Sequence, residues 1–315
     1  MTYKKFLVGF AIGDAVGVPV EFKSRDYLRR SPVRDMTGFG TYKKPAGTWS
    51  DDTTMTIATM ESIARLKKID YTDIMTNFLK WYKKGDFTID GLFDIGKTTS
   101  RAIYRFAQGT AALECGDSKE HQNGNGSLMR ILPVAFYLHS KFGNNFTNEA
   151  MEIIHNVSSL THAHNISKMC CGFYCLIAAE LLEGKPKEIA VADGLNKGAE
   201  FYRKSPQFTE ILDDIFNRLF DKNFTKLPVD VIGSSGYVLD SLEVSIWCLL
   251  NTNGYKPLIL KAVNLGADTD TTGAIAAGLG GLIYDVESLP AEWINKLRKR
   301  EYLESIEKSF FESLK

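Results

Sequence analysis

The feature that most restricts the fold of this chain is the run "NLGADTDTTGAIAAGLGGLIYD", Asn264 to Asp285. Gly273, Ala277 and Gly281 recur at four-residue spacing, with Ala276 and Gly280 beside them. On a helix these positions share one face, and a face without bulk lets another backbone come close. The spacing predicts a deep helix whose N-terminus is fixed in place. At that N-terminus Asp268 and Asp270 flank Thr269, and Thr271 follows. Alone, "DTDTTG" reads as a capped turn or a calcium loop, but it lacks the Gly and distant Glu of the full calcium hand.

A similar start lies far upstream. "GTWSDDTTM", Gly47 to Met55, sets Asp51 and Asp52 among the hydroxyls of Ser50, Thr53 and Thr54, and an apolar run follows. Ser, Thr and Asp cap helices, and negative charge is favoured at a helix N-terminus. One Asp would serve for that. Two adjacent carboxylates exceed what capping needs, and a divalent cation would offset their repulsion. Oxygen-only donors suit magnesium, manganese or calcium rather than zinc. If the two clusters met, four carboxylates around one point would suggest two ions.

Helical periodicity continues through most of the chain. "TMTIATMESIARLKK" places Ile57, Met60, Ile63 and Ala64 on one face. "IMTNFLKWYKK" and "GKTTSRAIYRFAQG" follow, the latter stopped by Gly109. "ISKMCCGFYCLIAAELLEGKP" is apolar almost all round, hence central, and stops at Gly184 before Pro186. "FTEILDDIFNRLF", "YVLDSLEVSIWCLL", "KPLILKAVNLG" and "AEWINKLRKREYLESIEKSFFESL" keep the pattern. Alternating strand-like runs with hairpin dipeptides are scarce. The reading is an all-α, multi-helix protein forming a single domain over residues 1–315, with no Pro/Ser-rich linker and no fixed-period repeat. The longest polar stretch, from Glu114 to Ser127, reads as a loop.

Hydrophobic residues make up 44% of the 315, enough for a sizeable core, and Lys plus Arg (38) equals Asp plus Glu (38). Zero formal net charge supplies no electrostatic reason to expect a nucleic acid or an acidic membrane as partner. The five cysteines form no CxxC pair, and Cys170, Cys171 and Cys175 lie in an apolar run. They read as reduced core residues, which suits a cytoplasmic location. "KKFLVGFAIGDAVGVPVEF" begins like a signal peptide, but Asp14 breaks the apolar stretch, Glu21 follows, and the segment reads as a mature helix. No run of roughly 18 uncharged apolar residues, the length of a membrane span, is evident.

Three further stretches bear on chemistry. In "NGNGSLMRILPVAFYL", Asn and Gly alternate before an apolar helix with Arg130 just inside it. Free amides there would attract phosphate, and the plain alternative is a loop before a capped helix. Arg130 would support either phosphate or the fold. "THAHNIS" holds His162 and His164 with no third nitrogen or sulfur ligand nearby, so substrate contact or a hydrogen-bonded core histidine is favoured over metal. Glu21, alone near the end of the first apolar segment, reads as a surface residue.

Taken in order, "GFAIGDAVGVPVEF", "GTWSDDTTM", "DIGKTTSRA", "NGNGSLMRILPVA", "THAH" and "GADTDTTGAIAAGLGGLIYD" resemble the ADP-ribosylglycohydrolase family, from about Lys5 to Tyr284. The resemblance implies an all-helical orthogonal bundle with two Mg²⁺ or Mn²⁺ ions. It implies hydrolysis of the bond joining ADP-ribose to a protein side chain or small acceptor. The expected partners are such ADP-ribosylated proteins or small molecules, with no membrane and a monomeric chain. A nucleic-acid acceptor stays open. The family's metal motif maps onto Ser50, Asp51, Asp52, Asp268, Asp270 and Thr271. Its "GDxxGxxxE" acid maps onto Glu21, the first candidate for the catalytic carboxylate, with Asp52 and Asp94 behind it. Gly124, Asn125, Gly126 and Ser127 match the loop that holds diphosphate and distal ribose, and His162 a substrate-side histidine. Competing readings are a metal-dependent nucleotide phosphohydrolase and a non-catalytic ADP-ribose-binding relative. Phosphate release would mark the first and a lost metal ligand the second, and no ligand is lost.

Overall fold

The computed structural model describes residues 6–315 and is helical, with no β-strand among the described residues. In chain order the helices are α1 (Leu7–Gly17), α2 (Arg25–Arg30), α3 (Asp51–Leu66), α4 (Tyr71–Lys84), α5 (Lys97–Ala107), α6 (Leu132–Phe142), α7 (Asn148–Ser159) and α8 (Asn165–Leu182). They continue as α9 (Lys187–Tyr202), α10 (Pro206–Asp214), α11 (Val238–Leu250), α12 (Tyr255–Val263), α13 (Thr269–Ile283), α14 (Ala291–Lys296) and α15 (Arg300–Ser313).

The small-residue helix is α13, buried from Thr269 to Leu282. Its close partner is α1, which is buried along its whole length. Glycines at the contact on both helices, Gly13 and Gly17 on α1 and Gly273 on α13, make the approach feasible. A Cβ on Gly13 would stand 2.4 Å from the carbonyl oxygen of Gly273, and one on Gly17 would stand 2.4 Å from the Asp270 backbone. Both distances are far inside van der Waals contact, so larger residues would push the helices apart. The lysines before Phe6 lie outside the described residues.

Around this pair, α3, α8, α11 and α12 pack as a second shell, and one hydrophobic cluster runs from Phe6 to Phe310. α8 is the apolar centre that the sequence suggests. At 18 residues it is also long and apolar enough to cross a membrane, against the reading that no such run exists; 83% of it is buried inside the protein. All five cysteines are free and buried.

Two stretches depart from the sequence reading. "AEWINKLRKREYLESIEKSFFESL" is not continuous: α14 ends at Lys296, and Lys299 takes the left-handed conformation (φ 52°) before α15. The break has a use. Arg298 N donates to the Gly47 carbonyl (3.0 Å), Trp49 Nε1 donates to the Arg298 carbonyl (3.2 Å), and Arg298 Nη1 reaches Thr48 Oγ1 (3.1 Å). The C-terminal segment thereby clamps the lead-in to α3. Arg130 lies in a 3₁₀ turn, Asn125–Arg130, ahead of α6 rather than inside it, because Pro133 sets the start of the helix one turn later.

Candidate active site

Three helical segments meet at one point. Asp14, inside α1, accepts from Ser50 N (2.9 Å), Thr53 N (3.2 Å) and Thr53 Oγ1 (2.6 Å), so it docks the start of α3. Ser50 caps that helix: its Oγ accepts from Asp52 N at 3.3 Å and donates to Asp52 Oδ2 at 3.0 Å. Capping and acid placement are therefore done by the same residues. From α13, Thr271 Oγ1 donates to Asp52 Oδ2 (3.3 Å), and Thr269 Oγ1 donates to the Gly17 carbonyl (2.8 Å). The two acidic clusters, far apart in sequence, share one hydrogen-bond network.

Glu21 follows a 3₁₀ turn (Val18–Val20) at the end of α1. Its neighbour Phe22 (φ 64°) donates its N–H to the Ala267 carbonyl (2.7 Å), and Ala267 (φ 62°) returns an N–H to Lys23 (2.8 Å). Two non-glycine residues in the left-handed region, facing each other, lock Glu21 beside Asp268. Asp94 arrives on the loop before α5 and is itself left-handed (φ 57°). Oxygens of Glu21, Asp94 and Asp270 lie within 4.8 Å of one another.

Glu21, Asp51, Asp52 and Asp270 are buried, and Asp94 and Asp268 are half-buried. Among the described residues no lysine or arginine forms an ion pair with any of the six. Four shielded oxygens have no hydrogen-bond partner: Glu21 Oε2, Asp52 Oδ1, Asp268 Oδ1 and Asp270 Oδ2. Burial, with the neighbouring Asp94 charge, pushes Glu21 up to about 9. Burial followed by the surrounding carboxylates drives Asp51, Asp52 and Asp270 well above the usual range, and burial also raises Asp268. Orphaned oxygens, like charges and oxygen-only donors are the chemistry of a hard divalent cation site, and the residues present fit one.

Above these acids opens a cavity of about 420 Å³, lined by Glu21, Asp51, Asp94, Asp268 and Thr271 on its acidic side. Asp52, Asp270 and Ser50 do not reach its wall. The opposite side is formed by Lys97 to Thr99 at the start of α5, by Gly124 to Gly126, and by His162. Asn125 Nδ2 donates to Asp268 Oδ2 (2.8 Å) and Ser241 Oγ (2.9 Å), tying this loop to the acidic side. Gly126 has no room for a side chain, since a Cβ would meet His162 Cε1 and Thr99 Oγ1 at 2.9 Å. Ser127 is turned away from the cavity and accepts from Ser158 Oγ (3.0 Å).

His162 is 2% exposed. Burial and the nearby Arg130 hold its imidazole down to about 3, so the ring is neutral. Arg130 Nη2 donates to Thr161 Oγ1 (2.8 Å), which lies 2.8 Å from His162 Nδ1. Thr161 thus fixes the Nδ1 edge of the ring, and Nε2 is the edge turned toward Gly124. Arg130 also reaches the Val157 carbonyl (3.2 Å) and the Phe78 ring, so it supports the fold beneath the histidine rather than facing the cavity. His164 caps α8.

The sequence reading missed Asp14, which it treated only as a break in an apolar stretch. An acid in mid-helix among Ile12, Ala15 and Val16 was the available signal. It also missed Tyr42, whose hydroxyl donates to Asp94 Oδ1 at 2.5 Å, and which carries no sequence signal of its own.

Comparison with known proteins bears on this arrangement. The family model described as ADP-ribosylglycohydrolase matches residues 2–315. The ADP-ribosylarginine hydrolase Tri1 of Pseudomonas putida is 32% identical over 98% of this chain and 77% of its own length. The ADP-ribosyl-[dinitrogen reductase] glycohydrolase of Rhodospirillum rubrum is 28% identical over 92% of this chain and 88% of its own. A solved structure described as an ADP-ribosylglycohydrolase-related protein complex superposes with a TM-score of 0.76 at 25% identity, covering 99% of this chain and 97% of that one.

Proposed function

This chain belongs to the ADP-ribosylglycohydrolase family and is a hydrolase acting on glycosidic bonds, and from that premise we propose that it removes ADP-ribose from modified arginine side chains with the help of divalent cations. The observation that carries the proposal is the buried acidic centre with four unpartnered oxygens and, among the described residues, no ion pair to a lysine or arginine. Two Mg²⁺ or Mn²⁺ ions held by Asp51, Asp52, Asp268, Asp270 and Thr271, with Ser50 beneath, would bring the missing positive charge and polarise ribose hydroxyls and a water.

The remaining steps belong to the chain. The diphosphate and distal ribose lie along Gly124 to Gly126, which form part of the cavity wall opposite the acids. The Nε2 edge of the neutral His162 ring hydrogen-bonds the bound nucleotide. As the bond from ribose C1′ to the guanidine nitrogen breaks, positive charge builds on the sugar ring. Glu21 and Asp94 lie together at the cavity wall, where a carboxylate stabilises that charge or takes the proton of the attacking water. Water adds to C1′, and the guanidine leaves with a proton. An arginine acceptor suits this mouth, since a guanidinium entering it faces a surplus of carboxylates. The relatives named for ADP-ribosylarginine hydrolysis point the same way.

The test is a panel of ADP-ribosyl-arginine, ADP-ribosyl-serine peptide, ADP-ribosylated DNA and O-acetyl-ADP-ribose, with each metal in turn. Free ADP-ribose released fastest from the arginine substrate supports the proposal. Release of phosphate or AMP would move the assignment to phosphoryl chemistry, and binding without turnover would move it to a binding module.

A further inference from the structure

The strap Gly38–Lys44 runs over the Glu21 segment and is held there by backbone bonds. Thr41 N donates to the Pro19 carbonyl (2.9 Å), and Thr41 Oγ1 donates to the Glu21 carbonyl (2.7 Å). Phe39 N donates to the Lys44 carbonyl (2.7 Å), closing the strap on itself, with Lys43 left-handed at φ 54°. Gly40 lies so close that a Cβ would fall 1.7 Å from the Pro19 carbonyl oxygen. The strap therefore cannot shift without moving Glu21.

It carries one side chain into the acidic site. The Tyr42 ring is half-buried, 5.2 Å from the Phe93 ring and 6.4 Å from that of Phe22. Its hydroxyl donates to Asp94 Oδ1 at 2.5 Å, while the adjacent Thr41 holds the Glu21 backbone through the Glu21 carbonyl (2.7 Å). Glu21 and Asp94 come from loops far apart in sequence, and whenever both are ionised their like charges repel. Apart from Tyr42, no hydrogen-bond donor among the described residues reaches the Asp94 carboxylate. We infer that Tyr42 is a positioning residue of this site: its hydroxyl, fixed by the strap, sets the spacing and orientation of the Glu21 and Asp94 carboxylates against the sugar. This rests on the glycohydrolase reading for its catalytic consequence, but the spacing itself does not.

Tyr42→Phe removes the hydroxyl and keeps the ring between its aromatic neighbours. We expect kcat for the ADP-ribosylated substrate to fall at least about 10-fold, with KM within about 2-fold and an unchanged stoichiometry of ADP-ribose binding. Because Tyr42 acts through Asp94, the Tyr42→Phe/Asp94→Asn double variant should be no slower than Asp94→Asn alone. Crystal structures of the wild type and Tyr42→Phe should show the two carboxylates moving apart. Unchanged kcat, additive losses in the double variant, or an unchanged carboxylate spacing would each overturn the inference. A wild type without turnover, combined with a shifted spacing in Tyr42→Phe, would sink the hydrolase reading and leave this inference standing.

Discussion

At Glu180, in the last turn of α8, and at the Asp51–Asp52–Asp268–Asp270 centre, carboxylates are withdrawn from water, yet their surroundings differ. Glu180 is fully buried, with Lys197 Nζ 2.5 Å from Oε1, Lys185 Nζ 2.6 Å from Oε2, and Asn144 Nδ2 donating to Oε2 (3.1 Å). Burial works to raise its pKa, but Lys185, Lys197 and Asn144 outweigh that and hold it below the usual value. Glu243, also buried, is likewise paired with Arg218. The acidic centre has hydroxyls, amides and helix N-termini around it but, among the described residues, no ion-paired lysine or arginine. The fold compensates its structural acids and leaves its central ones unmatched, and on the proposed reading the difference is made up by positive charge from outside.

The sharpest way to break this comparison is to remove one acid from each region. Asp270→Ala should lower ADP-ribose release at least about 100-fold while leaving helical circular dichroism and Tm intact or slightly raised, because it relieves repulsion. If Asp270→Ala instead unfolded the protein, the centre would be structural. Glu180→Ala should do the reverse. It should lose about 1–3 kcal/mol in a urea titration and keep its turnover within about 2-fold below the unfolding range.

Gly17→Ala probes the link between packing and site. The added methyl would meet the Asp270 backbone at 2.4 Å. A loss of about 1–3 kcal/mol together with a lower kcat is expected. Loss of stability with kcat unchanged would separate the helix pair from the chemistry.

A pH series sharpens the contrast further. Glu21, raised from 4.5 to about 9, and Asp14, raised by burial from 3.8 to about 7, keep protons in the folded metal-free chain that the unfolded chain gives up. Their contribution to stability is complete below the unfolded values and is lost as pH rises toward the folded ones. The Tm of chelator-treated protein should therefore fall by at least about 4 °C between roughly pH 5 and pH 8, and saturating Mg²⁺ should flatten the decline. A Tm that rose over that interval without metal would contradict the assignment.

Much of this was readable from residue order alone. The small-residue stripe announced the deep helix, and Gly13 and Gly17 on α1 supply the complementary surface that the stripe requires. The placement of Asp51, Asp52, Asp268 and Asp270 at two helix starts followed from capping chemistry and a charge surplus. Their convergence came from the family resemblance, because no local pattern reports which helix ends meet. Asp14 and Tyr42 stayed hidden for another reason: each acts through a contact with a segment distant in the chain. The break between α14 and α15 was missed because apolar periodicity runs through Leu297 while the backbone there bonds to Gly47. Arg130 was open between phosphate and the fold by position, and packing, which encloses it under His162, decides for the fold.

The central claim is that the unmatched acids hold divalent cations. It is tested most directly by calorimetric titration of Mn²⁺ into chelator-treated wild type and Asp270→Ala. Saturable binding of two ions per wild-type chain, lost or weakened at least about 100-fold in Asp270→Ala, is the predicted result. No binding to the wild type, or equal binding to both proteins, would contradict it.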